Sequence, residues 1–184
     1  ANGKIKVIFP TGLDGGFIFD TGALTSVTSS SGFDGTFTVA TTSTSITITR
    51  SGGTDAVVGP KSITLTNIKN PTIPGLTGTF TIQALTSTDD VIDQDVNVAE
   101  DEIVAGTLTS TNIEPASLVA DAVGNVAVSF TTVNPIPVDG RVYIYMPISL
   151  GNGFILDSGA STAVTSLSGI DGTVTITNTN NFIN

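Results

Sequence analysis

Gly3-Lys-Ile-Lys-Val-Ile-Phe-Pro10 reappears later in the chain as Gly140-Arg-Val-Tyr-Ile-Tyr-Met-Pro147. Apolar residues occupy alternate places in both: Ile5, Val7 and Phe9 in the first, Val142, Ile144 and Met146 in the second. A period of two puts successive side chains on opposite faces, so each stretch predicts a half-buried β-strand ending at a proline. Two further pairs follow at the same spacing. Gly16-Phe-Ile-Phe-Asp-Thr-Gly-Ala23 matches Gly153-Phe-Ile-Leu-Asp-Ser-Gly-Ala160, and Gly32-Phe-Asp-Gly-Thr-Phe-Thr-Val39 matches Gly169-Ile-Asp-Gly-Thr-Val-Thr-Ile176. The offset is 137 throughout, with 21 identities over the 45 positions of residues 3–47 and no insertion. Ungapped identity over that length marks one structural module present more than once.

Working outward, residues 1–88 read as the later part of a module, 89–105 as an acidic linker, and 106–184 as the first part of the next module. The first portion lacks an equivalent of 106–137 and the second an equivalent of 48–105. The window is therefore out of register with its own repeat. That mismatch predicts either a longer chain or protomers that complete one another by exchanging a strand, with Gly106–Pro137 or Lys4–Phe9 as the exchanged segment.

Alternation continues through Phe37 and Val39, Ile46 and Ile48, Ile63 and Leu65, then Phe80, Ile82 and Ala84, and finally Val126, Val128 and Phe130. Turn chemistry separates these runs at Asp34-Gly35, Ser51-Gly-Gly53, Asn70-Pro71, Pro74-Gly75, Asn134-Pro135 and Asp171-Gly172. Only Ala116–Ala122 reads as a short helical turn. The expectation is an all-β module of eight or nine strands, a β-sandwich of immunoglobulin-like or jelly-roll type.

Composition narrows the function. The chain has no Cys and no His, which removes disulfides, thiolate metal sites and a Ser-His-Asp triad. Ser and Thr make up about a quarter of it; Thr suits strands. Six basic residues stand against 16 acidic ones, a net charge of −10, which disfavours nucleic acid and anionic membranes. No apolar run is long enough to span a bilayer, and no signal peptide is visible. No cofactor is expected. No Asn-x-Ser/Thr sequon occurs, whereas dense hydroxyls such as Thr41–Ser45 leave O-linked glycans open.

Two resemblances to known families follow from particular residues. Ile113-Glu-Pro-Ala-Ser-Leu-Val119 with Gly124-Asn-Val-Ala-Val-Ser-Phe130, followed by Ile136-Pro-Val-Asp-Gly140 and a strand ending at Pro147, resembles the opening of immunoglobulin-like repeats in microbial surface proteins. The resemblance implies an extracellular fibre, filament or surface layer whose partners are identical protomers or neighbouring repeats. Asp20-Thr21-Gly22 and Asp157-Ser158-Gly159 resemble the paired Asp-Thr/Ser-Gly signature of aspartic proteases, which implies a carboxylate dyad at Asp20 and Asp157. Ala56-Val57-Val58-Gly59 imitates the brace such a loop needs in the first copy. The reading preferred from the residues is non-enzymatic: a strand followed by an Asp-capped glycine turn, repeated because the module is.

Three expectations remain. Asp89, Asp90, Asp93 and Asp95 are calcium candidates, although their spacing matches no EF-hand loop. Lys4, Lys6 and Ile8, which become Arg141, Tyr143 and Tyr145, predict an inter-module contact. Adhesion or carbohydrate binding is the alternative function for such a module, with Tyr143 and Tyr145 its only platform aromatics beyond phenylalanine.

Overall fold

β-branched runs punctuated by glycine turns leave little room for helix, and none forms among the described residues. The computed structural model describes residues 2–147, 153–156, 163–179 and 182–183. The chain divides into two units, Ala1–Ala105 and Gly106–Asn184.

The first unit contains β1 (Lys4–Ile8), β2 (Ile18–Phe19), β3 (Val27–Ser31), β4 (Thr36–Thr41), β5 (Ser45–Ser51), β6 (Ser62–Leu65), β7 (Ile68–Lys69), β8 (Gly75–Leu76), β9 (Phe80–Leu85), β10 (Val91–Val98) and β11 (Glu102–Ile103). Its main sheet is antiparallel, in the order β10-β9-β1-β5-β4. Short antiparallel ribbons β2–β7, β3–β6 and β8–β11 accompany it.

The register puts Ile5 opposite Ile48 and Ala84, and Val7 opposite Ile46 and Ile82. One face of three adjacent strands is thus a block of aliphatic side chains, with Ile46 and Ile48 only 0% and 2% exposed. Aromatic rings extend this core: Phe9 lies 5.1 Å from Phe17, 4.9 Å from Phe19 and 5.6 Å from Phe80 between centroids. Tilted and edge-on contacts at such distances suit the ring quadrupole. They seat β2, at the end of which Phe19 lies, against the sheet.

Hydroxyls perform the pairing elsewhere. Across β3 and β6, Ser29 Oγ donates to Thr64 Oγ1 at 3.0 Å, and Thr28 Oγ1 donates to the Thr64 carbonyl at 3.3 Å. Cross-strand Ser–Thr pairs hold a ribbon that has little apolar surface to bury.

The second unit contains β12 (Thr109–Pro115), β13 (Val126–Thr131), β14 (Ile144–Tyr145), β15 (Asn178–Thr179) and β16 (Phe182–Ile183). β12 and β13 form an antiparallel hairpin; the others form a sheet in the order β14-β16-β15. The pairing of this three-stranded sheet is that of β1, β5 and β4 moved by 137 residues. Ile144↔Ile183 and Tyr145↔Phe182 repeat Val7↔Ile46 and Ile8↔Ser45, and Asn178↔Ile183 repeats Thr41↔Ile46.

Three expectations need correction. The stretch 89–105 is not a linker: β10 pairs with β9 through Asp93↔Ala84, Gln94↔Gln83 and Asp95↔Ile82, because its alternating residues satisfy an edge that β9 would otherwise leave bare. Lys4–Phe9 is not an exchanged segment in this structure, since β1 is paired along both edges within its own unit. Ala116–Ala122 forms no helix; Ala122 N–H donates to the Val119 carbonyl at 3.2 Å and closes an isolated turn.

The burial predicts a sharp contrast between substitutions. Ile48→Ala should cost roughly 2–5 kcal/mol, whereas Val58→Ala, at a fully solvated position, should stay within about 0.5 kcal/mol. Denaturant unfolding followed by far-ultraviolet circular dichroism measures both; equal midpoints would remove Ile48 from the core.

Candidate functional site

β2 delivers Asp20 to a tight turn, with Asp20 at φ 59° and Gly22 at φ 78°. Asp and Gly tolerate this left-handed region. Thr25 N–H donates to Asp20 Oδ1 at 2.6 Å, Asp20 N–H donates back to Thr25 Oγ1 at 3.0 Å, and Thr41 Oγ1 donates to Asp20 Oδ2 at 2.7 Å. The Thr25 amide and then the Thr41 hydroxyl hold the carboxyl below its ordinary value. Asp20 is thereby a clasp between the end of β2 and the end of β4, with each carboxylate oxygen engaged. Asp157 lies outside the described residues. Ala56–Gly59 runs through an exposed loop, Val57 and Val58 facing solvent, and forms no apolar brace.

The acidic stretch is spread by strand geometry. Asp89 Oδ1 pairs with Lys4 Nζ at 2.8 Å. Asp90 Oδ2 accepts from the hydroxyls of Thr88 at 2.7 Å and Thr86 at 3.2 Å, in that order of influence on its lowered pKa. Asp95 Oδ1 accepts from Asn97 N–H at 2.9 Å. Among the described residues no three acidic side chains gather where they could hold a metal ion.

Lys4, Lys6 and Ile8 share the polar face of β1 and are half-buried. Lys4 and Lys6 line a shallow groove of about 490 Å³ with Thr47, Thr49, Gln83 and Leu85. Their repeat counterparts differ in setting: Tyr143 is 49% exposed and Tyr145 73%.

Sequence reasoning missed a second clasp in the first unit, built on Arg50 and Asp34. Arg50, at the inner end of β5, is 8% exposed. Its Nε donates to the Asp34 carbonyl at 2.6 Å, and Nη2 donates to Asp34 Oδ1 and the Thr54 carbonyl. Asp34 Oδ2 accepts from Thr54 N–H and Thr54 Oγ1, each at 2.9 Å. Those two bonds from Thr54, more than the guanidinium, lower the Asp34 carboxyl to about 2. Gly35 (φ 93°) makes the turn possible, since a Cβ there would lie 2.7 Å from the Ser51 carbonyl oxygen. Its counterpart Gly172 keeps φ 91°. The repeated Asp-Gly was the visible signal; the arginine that answers it lies 16 residues away on another strand.

Asp34 is more acidic folded than the ordinary unfolded value of about 3.9. Its contribution is therefore complete above that value and is lost as pH falls through about 2. Melting curves should show thermal stability declining over this interval, and Asp34→Asn should flatten the decline while lowering the plateau. A variant with the parent's full acid dependence would show the clasp to be idle. No protein-family model, no curated protein and no solved structure matches the chain.

Proposed function

We propose that this chain is a structural subunit of an extracellular fibre, filament or surface layer. Its modules, immunoglobulin-like β-sandwiches in this reading, join head-to-tail by adding strands to one another's sheets, the partners being identical protomers or neighbouring repeats. One observation carries the proposal. The pairing of β14, β16 and β15 repeats that of β1, β5 and β4 at the 137-residue offset, so one sheet is laid down twice along the chain, as a tandem-repeat fibre requires.

The surface of the second unit supports it. Leu118, Val123 and Val138 are 92%, 84% and 103% exposed, and only Met146 is a buried hydrophobic there among the described residues. Exposed apolar side chains in such number favour association. The opposite behaviour is built into the outer edge of the first unit, where exposed Asp93 and Asp95 on β10 discourage further pairing. Exposed hydroxyls at Thr42 and Ser43 and along β3 are the sites at which O-linked glycans would sit.

A second reading, adhesion through an acidic or hydroxylated glycan, is favoured by the groove over Lys6, Thr47, Thr49 and Gln83, where Lys4 is already paired with Asp89. Lysine and hydroxyl donors on a firm sheet suit sugar carboxylates and hydroxyls.

Light scattering and negative-stain electron microscopy distinguish the two. Assembly predicts concentration-dependent growth of linear particles with an axial repeat of one module. A chain that stays monomeric across the accessible range, yet gives Lys6-dependent signals on a glycan array, would replace the filament with the adhesin.

A further inference from the structure

The five-stranded sheet of the first unit has a second face, opposite the aliphatic block. Lys4 and Lys6 stand on it in β1, Thr47 and Thr49 beside them in β5, and Gln83 and Leu85 in β9. Together they line the groove of about 490 Å³, within the range of about 300–1,000 Å³ usual for small-ligand sites. Its polar groups fall into two sets. Lys4 Nζ is answered by Asp89 Oδ1 at 2.8 Å, and Gln83 Nε2 donates to Gln94 Oε1 at 3.0 Å. Lys6 Nζ and the hydroxyls of Thr47 and Thr49 have no hydrogen-bond or ion-pair partner among the described residues. Lys6 is half-buried, so its charge has given up part of its water without gaining a counter-ion.

From this arrangement we infer that the groove binds a carboxylated sugar, a uronate residue of an acidic polysaccharide. Lys6 takes the carboxylate, while Thr47 and Thr49 exchange hydrogen bonds with the ring hydroxyls. Gln83, whose amide nitrogen is engaged by Gln94, has its side-chain oxygen turned to accept another. Leu85, 5% exposed, and Val91, 50% exposed, offer aliphatic surface to the C–H groups of the ring. The inference deepens the adhesion reading above, on which it rests, and holds whether or not modules join into a filament.

Other anions suit the groove less well. One unanswered cation matches a single carboxylate, and the Asp89 carboxylate in the same lining opposes the denser charge of a sulfated chain, a phosphate or a nucleic acid. β1, β5 and β9 are each paired along both edges. An acidic peptide would therefore find no backbone group to pair with, whereas a polyol uses side-chain hydroxyls. The same two-sided pairing fixes the donors before a ligand arrives, which lowers the cost of binding. The cation is particular to this copy of the repeat, since Tyr143 stands 137 residues on from Lys6.

Isothermal titration calorimetry on the full chain tests the assignment. The probes are tetramers of galacturonate, glucuronate and mannuronate, and their methyl esters, which keep the ring hydroxyls and lose the charge. At least one free acid should bind, and its ester should bind about tenfold more weakly or worse. Lys6→Gln should impose the same loss on the acid, and Lys6→Arg should restore most of the affinity. Lys69→Gln, which removes an exposed lysine outside the groove, should bind as the parent does. Thr49→Val leaves the cation in place and should weaken acid and ester alike. Melting curves that match the parent's show that each variant folds. No binding by any free acid, an ester as tight as its acid, or unaltered affinity in Lys6→Gln overturns the inference; neutral glycans that still bind would then leave adhesion standing. An oligo-aspartate peptide that binds as tightly as the uronates, with the same dependence on Lys6, overturns it in favour of an acidic peptide. Silence from every glycan, neutral and acidic, sinks the adhesion reading as well.

Discussion

The two-sided pairing of β1 is the constraint on which the first unit depends. A central strand must satisfy backbone groups along both edges, and its alternating side chains must serve one face. Ile5 and Val7 do so only in the register that aligns them with Ile46, Ile48, Ile82 and Ala84. A slip by one residue would carry Lys4 and Lys6 into the aliphatic block. The buried isoleucines of β5, the Phe9 cluster and the groove over the lysines are all consequences of that register.

Polar turns keep the crossings in place. Asp20 and Asp34 each use a carboxylate to close a loop and to tie it to a distant segment, Thr41 in one case and Arg50 with Thr54 in the other. Such bonds give the Asp20-Thr21-Gly22 and Asp34-Gly35 turns of the first unit a structural role. Arg50 is nearly buried, and a buried cation persists only where its hydrogen-bonding groups are answered. The carboxylate and two carbonyls around it meet that need.

The two units express the same pairing rules to different extents. β14, β15 and β16 rebuild the β1, β4 and β5 ladder pair by pair, yet the second unit leaves large aliphatic side chains in water. Local pairing is set by residues close at hand in the module. Burial needs a second surface, and apolar groups left in solvent lose about 25 cal/mol for each Å² that stays wet. The two units therefore differ in how much of their apolar surface the described residues remove from water.

The sequence by itself determined the all-β class, the fixed 137-residue offset, the strand cores at Ile5–Phe9, Ile46–Ile48 and Phe80–Ala84, and the glycine turns, because alternation and turn chemistry are local properties. Only tertiary structure decided which strands became neighbours. It turned the acidic stretch at 91–98 into an edge strand, placed Lys4–Phe9 at the centre of its own sheet, scattered Asp89, Asp90, Asp93 and Asp95, and joined Arg50 to Asp34. Charge density along a chain says that a segment prefers water on at least one side, and an edge strand meets that preference as well as a linker does. Pairing depends on backbone groups that every residue carries alike, so the partners of β1 are chosen by fit across the sheet and leave no mark in the strand that they flank.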